Sequence, residues 1–403
     1  MTEHLYYHDS FLYEFDARVV ELSAMESRTA VALDQTAFYP TSGGQVFDTG
    51  VIVSGNDKVR VNEVIEGDDG TILHLVEGAA NLQKGSAVHG QIDVERRRDH
   101  MQQHSGQHVL SAAFVRLFNM PTVSFHMGAD SCSIDLDTKG LTSVQVEAAE
   151  TLANDVVLQD RPVGVRFVTQ EEAQGLGLRK IPPVERDRLR LIDIREFDLT
   201  ACGGTHVAST GQIGSILLRK TEKVKQGWRV EFVCGKRAVA TARRDYAMLA
   251  EGAGLCSSHI WDVPQQIRKL QEESRSWRKA SEQVLQEVAE LYAERMLAGS
   301  ESRIVTKTFA DRDLAFIKLL AQRLTRQSSG VTALLASTGG QPALVFAQSA
   351  GQPNDMGALM KEALARLGGR GGGSTDMAQG GPAKVEGIEA ELNAIAAKLS
   401  SAA

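Results

Sequence analysis

Two short motifs restrict the fold of this chain more than any other feature of its sequence. The first runs from His104 to His108, and the second runs from Cys202 to His206, far along the chain. A His-x-x-x-His pair on a helix places both imidazoles on one face, with their β-carbons about 5–6 Å apart. The Cys-x-x-x-His pair adds a thiolate and a third imidazole, and zinc prefers such a set of nitrogen and sulfur ligands. The motifs therefore predict a fold that brings both pairs to one Zn²⁺.

The metal prediction depends on both motifs together. A His-x-x-x-His pair alone is weak evidence, and Ser105 stands where a zinc protease would carry its catalytic glutamate. His100 extends the histidine repeat by one turn, but two ligands already satisfy the helix geometry, so we favour His104 and His108. Catalytic zinc usually has three protein ligands and an open position, whereas four ligands are typical of a structural site. The sequence leaves open whether His206 is a fourth or a labile ligand.

Composition indicates a soluble, multidomain globular protein. A chain of 403 residues is too long for one ordinary core. Its residues are 42% hydrophobic and 24% charged, as is typical of globular proteins. No run approaches the ~18 apolar residues of a membrane span, and the polar N-terminus does not resemble a signal peptide, so we expect a cytoplasmic protein without membrane contact. The net charge of −7 argues against coating nucleic acid through bulk charge.

The pattern of apolar residues divides the chain into four segments of an α+β multidomain protein. Short β-branched runs broken by Gly, Asn and Asp predict a β-barrel-like domain over residues 1–90. Residues 91–255 mix helical and strand periods around the two motifs, which predicts an α+β zinc domain. Residues 256–300 carry apolar side chains at a spacing of about 3.5, which predicts a long amphipathic helix or a coiled-coil hairpin, acting as a spacer. Residues 301–403 alternate strand and helix patterns and predict an α/β module.

Two glycine-rich stretches are candidates for ligand contact. The stretch from Thr36 to Gln45 contains consecutive glycines, which could let the backbone approach a ligand or could form an ordinary hairpin loop. The stretch from Gly368 to Gly373 is interrupted only by Arg370. Glycine at this density predicts either a flexible linker or a backbone cradle for phosphate, and Arg370 favours the cradle.

The order of these motifs resembles that of a known protein family. The chain is similar to the free-standing alanyl-tRNA editing proteins of the AlaX type, in their long form, and these resemble the editing half of alanyl-tRNA synthetase. The resemblance covers nearly the whole chain and rests on motifs that occur in order: Thr36, Phe38-Tyr39-Pro40, Ser42-Gly43-Gly44-Gln45, His104-x-x-x-His108, Cys202-Gly203-Gly204-Thr205-His206, Gly227-Trp228-Arg229-Val230, and Gly368-Gly369-Arg370-Gly371-Gly372-Gly373 with Gln379. The last stretch resembles the DHHA1 module of the long form.

The resemblance implies a trans-editing aminoacyl-tRNA deacylase. Its expected substrate is tRNA(Ala) mischarged with serine, and glycine is a second candidate amino acid. A synthetase pocket sized for alanine does not strongly reject glycine or a residue with one extra hydroxyl, so a second, hydrolytic sieve is needed. The implied cofactor is one Zn²⁺ per chain, held by the residues of the two motifs. The chain lacks an ATP-binding aminoacylation region, so we do not expect it to charge tRNA.

The resemblance also implies binding roles for residues outside the metal motifs. The candidate substrate contacts are Thr36, Gly43, Gly44 and Gln45, and the candidate tRNA contacts are Arg229 and Arg370. Thr36 would meet the serine hydroxyl, and the two glycines would turn backbone amides towards the aminoacyl group. The DHHA1-like module is expected to hold tRNA or to form a homodimer. Beyond the zinc ligands, the sequence identifies no catalytic residue.

A second hypothesis is a tRNA-binding or regulatory protein in which the zinc is purely structural. Four good ligands are one more than a water-activating zinc needs, so the ligand count by itself is compatible with this hypothesis. A zinc peptidase is a third hypothesis, but the chain offers no suitably placed glutamate. Deacylation of Ser-tRNA(Ala) measured against Ala-tRNA(Ala) separates the first two hypotheses.

Overall fold

The backbone divides after Glu251 into two units, each with its own hydrophobic clusters. We call them the N-terminal unit, Met1–Glu251, and the C-terminal unit, Gly252–Ala403. The computed structural model describes residues 2–25, 28–78, 81–176, 178, 188–298 and 303–401. In these ranges no helix has both the length and the apolar character needed to cross a membrane. The finer four-segment division made from the sequence stays a prediction.

A closed barrel forms the first part of the N-terminal unit. The strands of this part are β1 (Glu3–His4), β2 (Glu14–Met25), β3 (Arg28–Leu33), β4 (Gln35–Thr36), β5 (Gly50–Ser54), β6 (Asp57–Glu66), β7 (Ile72–Val76) and β8 (Ala87–Ile92). The barrel closes in the order β2-β3-β7-β6-β5-β8. Alternate side chains of each strand point inwards, and Val31, Ile52 and Val61 are fully buried there. The predicted N-terminal barrel is confirmed.

The second part of the N-terminal unit surrounds one central helix. Its elements are α1 (Val94–Phe118), β9 (Thr122–Met127), β10 (Cys132–Leu136), α2 (Ser143–Leu158), β11 (Val163–Val168), α3 (Gln170–Gln174), β12 (Leu189–Ile194), β13 (Asp198–Ala201), β14 (Ile216–Val224), β15 (Gly227–Cys234) and α4 (Gly235–Leu255). One sheet has the order β14-β15-β10-β9, and another has the order β11-β12-β13. The Asp93 carboxylate caps α1 by accepting from the Arg96 amide, and Asn119 ends the helix in the left-handed conformation.

The burial of α1 determines where the functional site lies. Between His100 and Phe114 nearly every residue of this helix is buried, including histidines, glutamines and serines. Buried polar side chains need hydrogen-bond partners or a metal, because leaving them unsatisfied is costly. A helix that is polar and yet enclosed is therefore evidence for a site.

The C-terminal unit is an α/β module preceded by a long helix. Its elements are α5 (Val263–Ala298), β16 (Ile304–Phe309), α6 (Leu314–Gln327), β17 (Thr332–Ser337), β18 (Ala343–Gln348), α7 (Met356–Leu367), β19 (Gly369–Gly373), β20 (Met377–Pro382) and α8 (Ile388–Ser401). The sheet order is β16-β17-β18-β20-β19. Of the two forms predicted for the spacer, the structure has the single helix, α5, and its role as a spacer stays a prediction.

The glycine-rich end is a regular part of this sheet. β19 pairs antiparallel with β20, with Arg370 opposite Gly381 and Gly371 opposite Gly380. A β-carbon on Gly371 would lie 2.4 Å from the Gly380 α-carbon, so the absence of side chains is what lets these strands approach. The flexible-linker interpretation is therefore wrong for this stretch. The phosphate cradle and the DHHA1 assignment remain predictions.

Candidate metal centre

The two motifs meet in the N-terminal unit. The potential ligand atoms of His104, His108, Cys202 and His206 all lie within 4.8 Å of one another. Cys202 Sγ lies 3.4 Å from His104 Nε2 and 3.4 Å from His206 Nε2. A tetrahedral zinc with Zn–S of about 2.3 Å and Zn–N of about 2.0 Å would separate sulfur and nitrogen by about 3.5 Å. The cluster could therefore hold one metal ion, and its donor set suits zinc.

The helical half of the cluster is oriented by a glutamine from the loop after β4. His104 Nδ1 donates to Gln45 Oε1 over 2.7 Å, and the Thr205 amide donates to the same oxygen over 3.1 Å. The Gln45 amide nitrogen donates to the Thr205 hydroxyl over 2.8 Å. Because the His104 proton is held on Nδ1, the Nε2 lone pair faces the cluster, as a metal ligand requires. Gln45 thus acts on His104 in this structure, and its predicted contact with substrate stays a prediction.

The loop half of the cluster has no regular secondary structure between Cys202 and His206. Its position depends on side chains from distant segments. His206 Nδ1 lies 3.2 Å from the Ser105 hydroxyl, which also accepts from the Val207 amide, and the His206 amide donates to the Ser10 hydroxyl. A proton on Nδ1, donated to Ser105, would leave the Nε2 lone pair of His206 facing Cys202 and the cluster. Ser105 therefore joins the helix to the loop.

The pKa values of two groups in the cluster are shifted towards the forms that bind a metal. Burial pushes the pKa of Cys202 upwards, but interactions with His104 and His206 outweigh it and hold that pKa well below its ordinary value. Burial lowers the pKa of His206 to about 3. A thiolate beside a neutral imidazole is what a metal ion binds.

The environment of His108 differs from that of the other imidazoles. Burial lowers the pKa of His108, but the Asp198 carboxylate and Cys202 more than offset this, so the net pKa is raised. His108 Nδ1 lies 3.7 Å from Asp198 Oδ2 and has no closer hydrogen-bond partner in the described part of the chain. A carboxylate behind a ligating imidazole commonly fixes its tautomer and raises its basicity. At 3.7 Å Asp198 acts on His108 through its charge and not through a hydrogen bond.

Thr36 lies on β4, in the first part of the N-terminal unit, and is fully buried. His74 Nδ1 lies 2.9 Å from the Val31 carbonyl, so this nitrogen carries the ring proton. Burial lowers the pKa of His74 to about 4, so the ring is neutral and its Nε2 accepts from the Thr36 hydroxyl over 2.8 Å. The same hydroxyl accepts from the Phe38 amide. A contact between Thr36 and a substrate hydroxyl would have to use the remaining lone pair, and it stays a prediction.

Gly43 and Gly44 form an exposed turn beside the cluster, with φ angles of 57° and 86°. A β-carbon on Gly44 would lie 2.5 Å from the Phe125 carbonyl oxygen. The ring of Phe125 stacks on His104 with centroids 5.5 Å apart. The turn therefore packs against the residue that covers one metal-site imidazole. Its predicted contact with the aminoacyl group stays a prediction.

The two predicted tRNA contacts lie in different units. Arg229 on β15 forms a bidentate ion pair with Asp135 on β10, with nitrogen–oxygen distances of 2.7 and 2.9 Å. Arg370 on β19 is exposed and lines a cavity of the C-terminal unit together with Asp313 and Gln379. A role in binding tRNA stays a prediction for both arginines.

Sequence reasoning missed two residues that orient the cluster. Ser105 lies within the first motif, so its position beside a metal-site histidine was a usable signal. Asp198 lies four positions before Cys202, and nothing in the local sequence indicates that it faces His108. Such partners become visible only when separate segments are brought together.

Comparison with family models defines the class of protein. Residues 3–96 match the model described as tRNA synthetases class II (A). Residues 189–231 match the threonyl and alanyl tRNA synthetase second additional domain, and this range contains Cys202 and His206. The barrel and the loop half of the metal centre therefore belong to the class of tRNA synthetase-related domains.

Whole-chain relatives define the family. The alanyl-tRNA editing protein AlaX-L of Pyrococcus horikoshii is 31% identical over 397 residues, which cover 94% of this chain and 94% of that protein. The chain belongs to the alanyl-tRNA editing protein family. The alanine–tRNA ligase of Pyrococcus furiosus is 34% identical over 72% of this chain, and that of Thermococcus kodakarensis is 33% identical over 94% of it. The matched regions make up only 32% and 41% of these ligases.

One solved structure, the C-Ala domain from Aquifex aeolicus alanyl-tRNA synthetase, aligns with 24% of this chain at 22% identity and a TM-score of 0.23. This similarity is too low to define the fold of the aligned part.

Proposed function

We propose that this protein is a cytoplasmic trans-editing deacylase, which hydrolyses the ester of tRNA(Ala) mischarged with serine, with glycine as a second candidate amino acid. It does not charge tRNA itself. One observation carries the proposal: a chain that aligns almost end to end with an alanyl-tRNA editing protein brings a thiolate and three imidazoles to one buried point. Hydrolysis of this ester is the second sieve that a synthetase selective for alanine requires.

We propose that the ion is Zn²⁺, one per chain, held by the residues of the two motifs. Bound there, it would supply Lewis acidity to a carbonyl or a water molecule. The chain itself contributes the orientation of the ligands, because Gln45 and Ser105 form hydrogen bonds with the far-side nitrogens of His104 and His206. If His206 is labile, three ligands and an open position remain, as in catalytic zinc sites.

We also propose that residues of this chain position the substrate and select it. An aminoacyl ester is already activated, so holding it in a reactive geometry can supply much of the rate. Gly43 and Gly44 would present backbone amides to the aminoacyl group. Thr36 would recognise the serine hydroxyl through the lone pair that His74 and Phe38 leave unused. A site built for a hydroxyl can disfavour alanine by about 10⁴-fold.

A panel of charged tRNAs tests this function. We expect the wild-type protein to deacylate Ser-tRNA(Ala), and to a smaller extent Gly-tRNA(Ala), while sparing Ala-tRNA(Ala). Removing the metal with a chelator should abolish the activity, and adding Zn²⁺ should restore it. The variant His108→Ala should lose deacylation while keeping its circular dichroism spectrum and its affinity for tRNA.

The presence of four ligands supports a second candidate, a tRNA-binding protein with a purely structural zinc. A folded His108→Ala protein that deacylates at the wild-type rate would contradict metal-dependent catalysis. A wild-type protein that binds tRNA(Ala) but hydrolyses none of the three esters would establish the second candidate instead.

We propose that the C-terminal unit contributes to tRNA binding through Arg370, with homodimer formation as its alternative role. Each phosphate contact made by a basic side chain makes binding more sensitive to salt. Arg370→Ala should weaken tRNA binding at low salt and reduce the slope of log affinity against log salt by about one. An unchanged slope, together with a dimer seen by light scattering, would favour the alternative role. The tRNA contact proposed for Arg229 can be tested in the same way.

A further inference from the structure

Arg190 on β12 lies directly behind the metal loop. Its Nη1 donates to the carbonyl oxygens of Cys202 over 2.7 Å and Gly204 over 2.9 Å, and its Nε donates to the Tyr7 carbonyl over 2.9 Å. The guanidinium carbon lies 5.6 Å from the centre of the Tyr7 ring. Arg190 therefore ties the loop half of the metal centre to the N-terminal segment that carries Tyr7.

Arg190 also retains an unused donor. The residue is only 7% exposed, and its Nη2 has no hydrogen-bond partner among the residues that the structure describes. A buried donor without a partner is costly, and an incoming phosphate or hydroxyl oxygen would remove that cost. This nitrogen indicates a ligand with oxygen acceptors next to the metal loop.

Aromatic side chains extend from Arg190 to the surface. In the pairing of β11 with β12, Phe167 lies directly opposite Arg190, so the two side chains share one face of the sheet. His8 packs on Phe167 with ring centroids 5.3 Å apart. Both residues are exposed, and Phe167 keeps 36% of its surface accessible. We call Tyr7, His8 and Phe167 the aromatic track.

The inner end of the track borders the metal ligands. A β-carbon on Gly203 would lie 3.5 Å from the Tyr7 hydroxyl, so Tyr7 stands against the residue that follows Cys202. The track therefore begins beside the metal loop and ends on the surface. It combines exposed rings with an arginine, the combination that binds unpaired RNA, in which bases stack on aromatic faces and on guanidinium planes.

We propose that the aromatic track binds the unpaired 3′ end of a tRNA. Tyr7 and Arg190 lie nearest the terminal nucleotide, and Phe167 stacks on a base further from the end. This inference rests on the proposed function, because the charged nucleotide has to reach the metal centre. The aromatic track is continuous with the metal loop. This favours an RNA, whose 3′ end has to reach the metal centre, over a peptide, which would have no reason to end at the metal loop.

The test uses the full-length, zinc-loaded protein and a short single-stranded RNA ending in ACCA. The first adenine of this sequence is replaced by 2-aminopurine, whose fluorescence falls when it stacks on a ring. We expect the wild-type protein to quench the probe. Phe167→Leu should abolish most of the quenching and weaken binding about 10-fold, as expected for the loss of one stacked base. Phe167→Trp should restore both.

Phe11→Leu is the matched control. Phe11 is 37% exposed, close to the value for Phe167, but its ring packs on Tyr13, with centroids 6.4 Å apart. This variant should quench and bind as the wild type does. Thermal unfolding and zinc content, measured for every variant, identify any loss that comes from misfolding. If Phe167→Leu fails to fold, Phe167→Trp still reports whether an aromatic ring at this position quenches and binds the probe.

The outcomes separate this inference from the proposed function. If the wild type does not quench the probe, the proposed binding by the aromatic track is wrong. An equal loss of quenching and binding in the Phe11 and Phe167 variants would contradict it as well. Deacylation of Ser-tRNA(Ala) by the wild type, with probe binding unaffected in Phe167→Leu, would overturn the track and leave the function standing. Quenching that depends on Phe167, in a wild-type protein that hydrolyses none of the three esters, would support the track and contradict the function.

Discussion

The two halves of the metal centre have the same spacing in sequence and very different structural support. His104 and His108 are four residues apart on α1, where the helix alone places both imidazoles on one side. Cys202 and His206 are also four residues apart, but they lie on a loop without regular structure. The helical half is thus defined by local geometry, whereas the loop half is defined by bonds from distant segments.

This difference in structural support predicts which substitutions will disturb each half. A neutral hydrogen bond contributes about 0.5–1.5 kcal/mol and one from a charged group about 1.5–3 kcal/mol. The loop half depends on bonds of both kinds, from Ser10, Ser105 and the Arg190 guanidinium. Substitutions away from the ligands should therefore disturb the loop half more than the helical half.

Removal of a ligand should be equally severe in both halves. His108→Ala and Cys202→Ala should each reduce the zinc content from one per chain to nearly zero, because each removes a donor of the tetrahedral set. Zinc per chain, measured by atomic emission after dialysis, tests this. A variant of either half that retains stoichiometric zinc would show that its residue is not a required ligand.

The two glycines of the loop half should differ sharply. A β-carbon on Gly204 would lie 2.1 Å from His104 Cε1 and 2.9 Å from Gln45 Oε1, whereas the nearest atom to one on Gly203 is 3.5 Å away. Gly204→Ala should therefore lower zinc affinity about 100-fold, since overpacking costs about 1–3 kcal/mol. Gly203→Ala is the control and should bind zinc normally in a chelator competition. Equal affinities for the two variants would contradict the close approach of loop and helix.

Gln45 should matter through both halves, because its Oε1 accepts from His104 Nδ1 on the helix and from the Thr205 amide on the loop. Gln45→Met removes the acceptor for His104 Nδ1 and leaves the Thr205 amide without its partner, so zinc affinity should fall about 30-fold, within the range for outer partners of metal ligands. Gln107→Met is the control, because this buried glutamine bonds to Ser111 and not to a ligand. The same chelator competition serves as the measurement. A loss of deacylation in Gln45→Met with unchanged zinc affinity would instead favour the predicted substrate contact.

Ser105 should give the smallest effect of the series. Ser105→Ala removes the bond to His206 Nδ1 and leaves the Val207 amide unsatisfied, and these are the contacts that join the helix to the loop. We expect a loss of about 10-fold in zinc affinity and about 1 kcal/mol in the free energy of unfolding. Urea unfolding of the zinc-free protein separates the two effects. A variant that loses stability but not affinity would show that Ser105 supports the fold alone.

Sequence patterns were most informative where local structure is sufficient. β-Branched runs predicted the barrel, and the apolar repeat predicted a helix where α5 lies, although it did not distinguish one helix from a hairpin. The linker interpretation of the glycine-rich end was wrong, because the pairing of Gly371 with Gly380 depends on a partner strand. Glycine composition alone does not reveal whether such a partner exists.

By itself the sequence determined the ligand types and the order of motifs, because donor chemistry and helical spacing are properties of single segments. Only the tertiary structure decided that the two motifs meet, that Gln45 and Ser105 form hydrogen bonds with His104 and His206, and that Arg190 supports the loop. These features arise from hydrogen bonds between residues that are far apart in the chain. Such bonds leave no local pattern, so they become defined only when folding buries polar groups that must find partners.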